Sequence, residues 1–157
     1  MEMIYKSARL EKQALSEREL ALINKQSLRE LSADEVFAFR LAACDNQVDR
    51  DNERFTENTL EQLAKLYIGK TVLLDHDWSA KSQTARIYNA YVSSEGDIKR
   101  LILCCYTVRT ESMADTISAI EGGILRECSV GCTVQHVLCS ICGADQRTTL
   151  CQHRGGH

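Results

Sequence analysis

The sequence predicts an α+β domain in which an antiparallel, hairpin-connected sheet is interrupted by short helices. Strand-like apolar runs dominate the region after residue 34. The two longest are joined by a polar turn with good hairpin chemistry. Strand–helix–strand alternation is not sustained, which disfavours a doubly wound sheet and leaves a parallel sheet as the lesser alternative. At 157 residues the chain is long enough for one domain with a real core and too short for two of ordinary size.

Residues 7–31 are rich in Leu, Ala, Glu, Lys and Arg, with Leu10, Ala14, Leu15, Leu22 and Leu28 at roughly helical spacing. They predict an amphipathic N-terminal helix or extension, whose charged face is most simply solvated. From Glu35 the pattern becomes alternating, with Phe37, Phe39 and Leu41 on one face, as in a strand. Asp49-Arg-Asp-Asn-Glu53 is a charged loop. Thr56 is a good N-cap for a helix through Leu60, Leu63, Ala64 and Tyr67, ended by Gly69 in the left-handed conformation. Val72-Leu-Leu74 reads as a short buried strand leading into Asp75-His76-Asp77-Trp78. Strands over 84–92 and 99–108 flank Ser93-Ser-Glu-Gly-Asp97. Thr110 caps a second helix with Met113, Ile117 and Ile120 on one face, stopped by Gly122-Gly123, and a last strand runs over 124–134.

The net charge of −3 leaves Lys and Arg scattered, so no nucleic-acid surface is expected. The first residues lack a signal-peptide core. The longest apolar run, Leu101 to Tyr106, is far short of a membrane span, so a soluble intracellular protein with no membrane association is expected. Eight cysteines in such a compartment are thiols or metal ligands rather than disulfides. Cys44, Cys104, Cys105, Cys128 and Cys132 lie in apolar runs and read as small buried hydrophobes. No Gly-rich phosphate loop follows any strand, so nucleotide binding has no support.

Two candidate sites sit near the C-terminus. Cys139-x2-Cys142 has the bite of a tetrahedral metal site, and Cys151 with His153 can supply the remaining ligands of a closed, structural Cys3His zinc knot. His157 is an alternative fourth ligand. The plain reading is a pair of free thiols in a polar tail, but residues 140–149 offer too little apolar surface to fold without a staple. The other candidate is Ser129, in a strand before a glycine, together with His76 at the end of an apolar strand between Asp75 and Asp77. A Ser/His pair would let His76 take the hydroxyl proton as the serine attacks a carbonyl. From residue types alone, a strand serine and a loop histidine are more often structural.

Four motifs in order shift that balance. They are Asp49-Arg-Asp-Asn-Glu-Arg-Phe55, Leu73-Leu-Asp-His-Asp-Trp-Ser79 with Thr84-Ala-Arg-Ile-Tyr88, Gly123-Ile-Leu-Arg-Glu-Cys-Ser-Val-Gly-Cys132, and Cys139-Ser-Ile-Cys-Gly143. From about Phe37 onward the chain resembles the head maturation (prohead) proteases of tailed bacteriophages. The resemblance implies a serine endopeptidase with Ser129 as nucleophile and His76 as general base. It also implies a β-barrel like that of the herpesvirus assemblins, and phage major capsid and scaffold proteins as substrates. The place of action would be the bacterial host cytoplasm, inside the assembling prohead. Some family members carry a similar Cys-x2-Cys and Cys-x-His insertion, which would make the knot a brace.

The expected organisation is a helical extension (1–34), a protease barrel core (35–136) and a zinc-knot segment (137–157). Family members usually continue through a further strand that completes the barrel and supplies a third catalytic group, so the barrel is expected to be incomplete at its C-terminal end. No third member is assigned: His153 is preferred as a metal ligand, and strand alternation places His136 on the face opposite Ser129. A homo-oligomer stays open. The rival expectation is a non-catalytic zinc-binding module or an inactive protease relic.

Overall fold

The expected hairpin forms, with a turn shorter than 93–97 because residues 93–95 pair as strand. Strands β4 (Gln83–Glu95) and β5 (Ile98–Val108) pair antiparallel out to Glu95↔Ile98, leaving Gly96 and Asp97 as the turn. Gly96 sits at φ +58°, a conformation an L side chain rarely adopts. The computed structural model describes residues 4–12, 14–149 and 151–153, the first stretch as backbone only. Among these residues β1 (Ile4–Lys12), β2 (Val36–Asp45), β3 (Thr71–Leu73) and β6 (Glu127–Cys132) join the hairpin in a six-stranded antiparallel sheet of order β3-β4-β5-β2-β1-β6. Register shifts between Ala42 and Cys44 in β2, and between Ile87 and Asn89 in β4, mark bulges. Bulges increase local twist, and the sheet curls into a half-barrel.

Alternation along the strands divides the core in two. On one face Phe37, Phe39, Leu41, Leu101, Leu103, Cys105 and Ile87 are buried with Leu60, Leu63 and Ala64 of helix α2 (Glu57–Tyr67) and Ile117 of helix α3 (Ala114–Glu121). The Thr56 hydroxyl accepts the Thr59 N–H as the N-cap of α2, and Gly69 beyond its end lies at φ +82°. On the other face Val36, Tyr88, Cys104 and Tyr106 pack against Ile23 of helix α1 (Glu17–Asn24). Ser16 and Glu19 form a capping box at the start of α1, and Glu19 also takes Arg40 at 3.5 Å.

Three expectations need correction. The N-terminal extension is not all helix: residues 4–12 form β1, seated between β2 and β6, and α1 begins only at Glu17. The Leu-, Ala- and Glu-rich composition favours helix, but two flanking strands offering backbone partners on both edges override that weak preference. Leu28 is fully exposed, and Ile23 is the buried anchor of α1. The run 72–74 is not a buried strand, since β3 is half-buried and Leu74 is exposed. The last strand is shorter than expected and ends at Cys132.

The Ser32–Glu35 turn that enters β2 carries a pH-dependent contact. Arg29 Nη2 donates to Glu35 Oε1 at 2.8 Å and the Ser32 N–H donates to Oε2 at 2.9 Å. These bonds, Arg29 first, draw the Glu35 carboxyl down to about 2. A depressed carboxyl stabilises the fold fully above its unfolded value and loses that contribution as pH falls toward its folded value. Thermal melts of Glu35→Gln are therefore expected to lie below wild type at neutral pH and to converge with it as pH falls toward 2. The gap should be small and salt-sensitive, because the pair is solvent-exposed.

Candidate active site and metal centre

Ser129 owes its position to the alternation of β6. Cys128, Val130 and Cys132 turn toward the core shared with α2 and α3, so Ser129 and Gly131 take the opposite face. Ser129 pairs with Ser7 of β1, and the Gly131 carbonyl accepts a hydrogen bond from the Tyr67 hydroxyl of α2 at 3.2 Å. His76 lies three residues past β3, at the other edge of the same sheet. The loop after β3 nevertheless reaches β6, and His76 Nε2 lies 2.5 Å from Ser129 Oγ across 53 residues of sequence. Both residues expected to form the pair are thus in hydrogen-bond contact.

The loop carrying His76 is strained. Asp75 and His76 are consecutive non-glycine residues at φ +52°. Such conformations cost roughly 1–3 kcal/mol each and persist only where the surroundings fix them. With the imidazole proton on Nδ1, Ser129 Oγ–H donates to Nε2, the arrangement in which a base can take the proton as oxygen attacks an electrophile. Ser129 is half-buried and His76 exposed, so the pair is reachable from solvent.

The second expected site also assembles. Donor atoms of Cys139, Cys142, Cys151 and His153 all lie within 4.8 Å of one another. Cys142 Sγ is 3.4 Å from Cys151 Sγ, and His153 Nδ1 is 3.5 Å from Cys151 Sγ and 3.8 Å from Cys139 Sγ. A tetrahedral ion bound by sulfur at about 2.3 Å needs ligand separations of roughly 3.8 Å, so the donor set fits a four-coordinate metal. The N–H groups of Cys142 and Ile141 point at Cys139 Sγ and lower its thiol to about 6, as a thiolate ligand requires. Gly143, at φ +73°, closes this turn by donating its N–H to the Cys139 carbonyl at 2.9 Å. His157 lies outside the described residues.

Sequence reasoning missed the base of this knot. Asp145 Oδ1 accepts the N–H groups of Val137 and Arg147, and Oδ2 takes His136 Nδ1 at 2.7 Å. His136 and these N–H groups hold the Asp145 carboxyl below its usual range. The alternation argument for His136 therefore fails for a physical reason: β6 stops at Cys132, and His136 belongs to the knot. Of the other five cysteines, Cys44, Cys104 and Cys105 are buried; burial pushes the Cys128 thiol up to about 12 and holds Cys105 well above its ordinary value, which suits inert core thiols.

The chain matches no protein-family model, no curated protein and no solved structure. No described helix is long and apolar enough to cross a membrane.

Proposed function

We propose that the chain is a serine endopeptidase of phage head maturation, acting on major capsid and scaffold proteins inside the prohead. The observation that carries this reading is the 2.5 Å contact between Ser129 Oγ and His76 Nε2. The motif resemblance adds the family, the assemblin-like barrel and the substrates. In the reaction Ser129 Oγ attacks the scissile carbonyl carbon while His76 Nε2 takes the hydroxyl proton. The tetrahedral intermediate collapses as the imidazolium returns that proton to the leaving amine. Water then attacks the acyl-serine, giving its proton to His76, and the carboxyl product leaves as Ser129 regains its hydrogen.

The metal is zinc in this reading, because three thiolates and one imidazole form a closed structural set. It braces the segment after β6 and takes no part in the chemistry. The same complete donor set favours a second reading, a non-catalytic zinc-binding module. Incubation of the purified protein with the cognate capsid precursor separates the two. The protease reading predicts cleavage at a defined peptide bond; an intact precursor would favour the binding module or an inactive relic.

A further inference from the structure

The loop between β3 and β4 holds His76 in a conformation its own residues disfavour, so another group must supply the difference. Asp77 follows His76 directly. Its Oδ1 accepts the Ser79 N–H at 3.0 Å, and its Oδ2 accepts the Ser79 hydroxyl at 2.7 Å and the Ser82 hydroxyl at 2.6 Å. The two hydroxyl oxygens are themselves 3.0 Å apart. Backbone bonds close the same turn: Asp77 N to the Leu74 carbonyl at 3.0 Å, Leu74 N to the Ser82 carbonyl at 3.1 Å, and Ser82 N to the Ser79 carbonyl at 3.2 Å. Hydrogen bonds from Ser82, then Ser79, hold the Asp77 carboxyl below its usual range.

These bonds pin both sides of Asp75 and His76. The Leu74 end is tied to Ser82, and the Asp77 end is tied to Ser79 and Ser82, leaving the two left-handed residues as the arch between fixed feet. The arch carries the imidazole toward β6. Without the carboxylate the arch keeps only its backbone bonds, and the hold that sets the direction of the His76 imidazole toward Ser129 is loosened.

We propose that Asp77 is a positioning residue: through the Ser79 and Ser82 hydroxyls it locks the strained Asp75-His76 arch and thereby sets the His76–Ser129 contact. This rests on the Ser129–His76 pair being the nucleophile and base. Displacement of a catalytic group by about 1 Å can cost 10²-fold in rate. Asp77→Ala is therefore expected to slow reaction of Ser129 by about ten- to a hundredfold.

The test is the rate at which a fluorophosphonate reacts with Ser129, in which Ser129 Oγ bonds to phosphorus, fluoride departs and the proton passes to His76. Wild type, Asp77→Ala, Asp77→Asn, His76→Ala and the His76→Ala/Asp77→Ala double variant are compared, with folding checked by thermal melt. The inference predicts a slow Asp77→Ala, substantial recovery in Asp77→Asn, which keeps Oδ1 for the Ser79 N–H and can donate from Nδ2 to the Ser79 and Ser82 hydroxyl oxygens, and a double variant no slower than His76→Ala. A double variant slower than His76→Ala by the full Asp77→Ala factor would show that Asp77 acts on general structure, overturning the inference while the nucleophile stands. Equal rates in wild type and Asp77→Ala would overturn it likewise. If wild type leaves Ser129 unmodified, the nucleophile assignment itself falls, and the inference with it.

Discussion

If the proposed protease reading holds, Ser129→Ala is expected to lower cleavage of the capsid precursor by on the order of 10³-fold or more, because the residual rate then comes only from substrate binding and polarisation without a nucleophile. The fold should survive. Ser129 lies on the face of β6 turned from the core, its side-chain hydrogen bond is to His76, and losing such a bond costs about 0.5–1.5 kcal/mol. A thermal midpoint within a few degrees of wild type, together with loss of cleavage, is the expected pattern. His76→Ala should cause a loss of similar scale, and the double variant should be no worse than either, since in the proposed reaction nucleophile and base act as one unit. A Ser129→Ala protein that processes the precursor at the wild-type rate contradicts the assignment.

The second large effect concerns the metal. Structural zinc sites of this donor type carry apparent binding free energies of about 10–16 kcal/mol, far more than the few polar contacts of residues 136–149 can supply. Elemental analysis of protein purified under reducing conditions should find one zinc per chain. Chelation should then abolish hydrogen-exchange protection of the amides that close the knot, namely Cys139 to Ala144, Gly143 to Cys139 and Gln146 to Val137. Amides of β2 and β5 should keep theirs, since that pairing and its core lie elsewhere. Cys142→Ser should reproduce the chelated state. Metal-free protein with the knot amides fully protected contradicts the brace.

Much of this was legible in the sequence because the signals were local. Thr56 and Gly69 bracket α2, Gly96 specifies the hairpin turn, and Cys139-x2-Cys142 fixes its own bite. The pairing of β1 was not legible: a strand held by partners contributed from residues 39–42 and 127–132 leaves only a faint alternation of Ile4, Ala8 and Leu10 in its own sequence. The contact of His76 with Ser129 depends on the loop after β3 reaching β6, which no local pattern encodes, and resemblance to a family stood in for it. The Asp77 brace did have a local signature. An Asp two residues before a Ser commonly closes a turn on the backbone N–H, and Asp77-Trp-Ser79 has that form. Asp145 holding His136 has a weaker one, since its His136 partner lies nine residues back in the chain.

The pairing of Ser129 with His76 is tested most directly by treating the protein with a fluorophosphonate and locating the adduct by peptide mass spectrometry. A single adduct on Ser129, formed far more slowly in His76→Ala than in wild type, is the predicted result. No adduct on Ser129, or one that forms equally fast without His76, would contradict the pair as a catalytic unit.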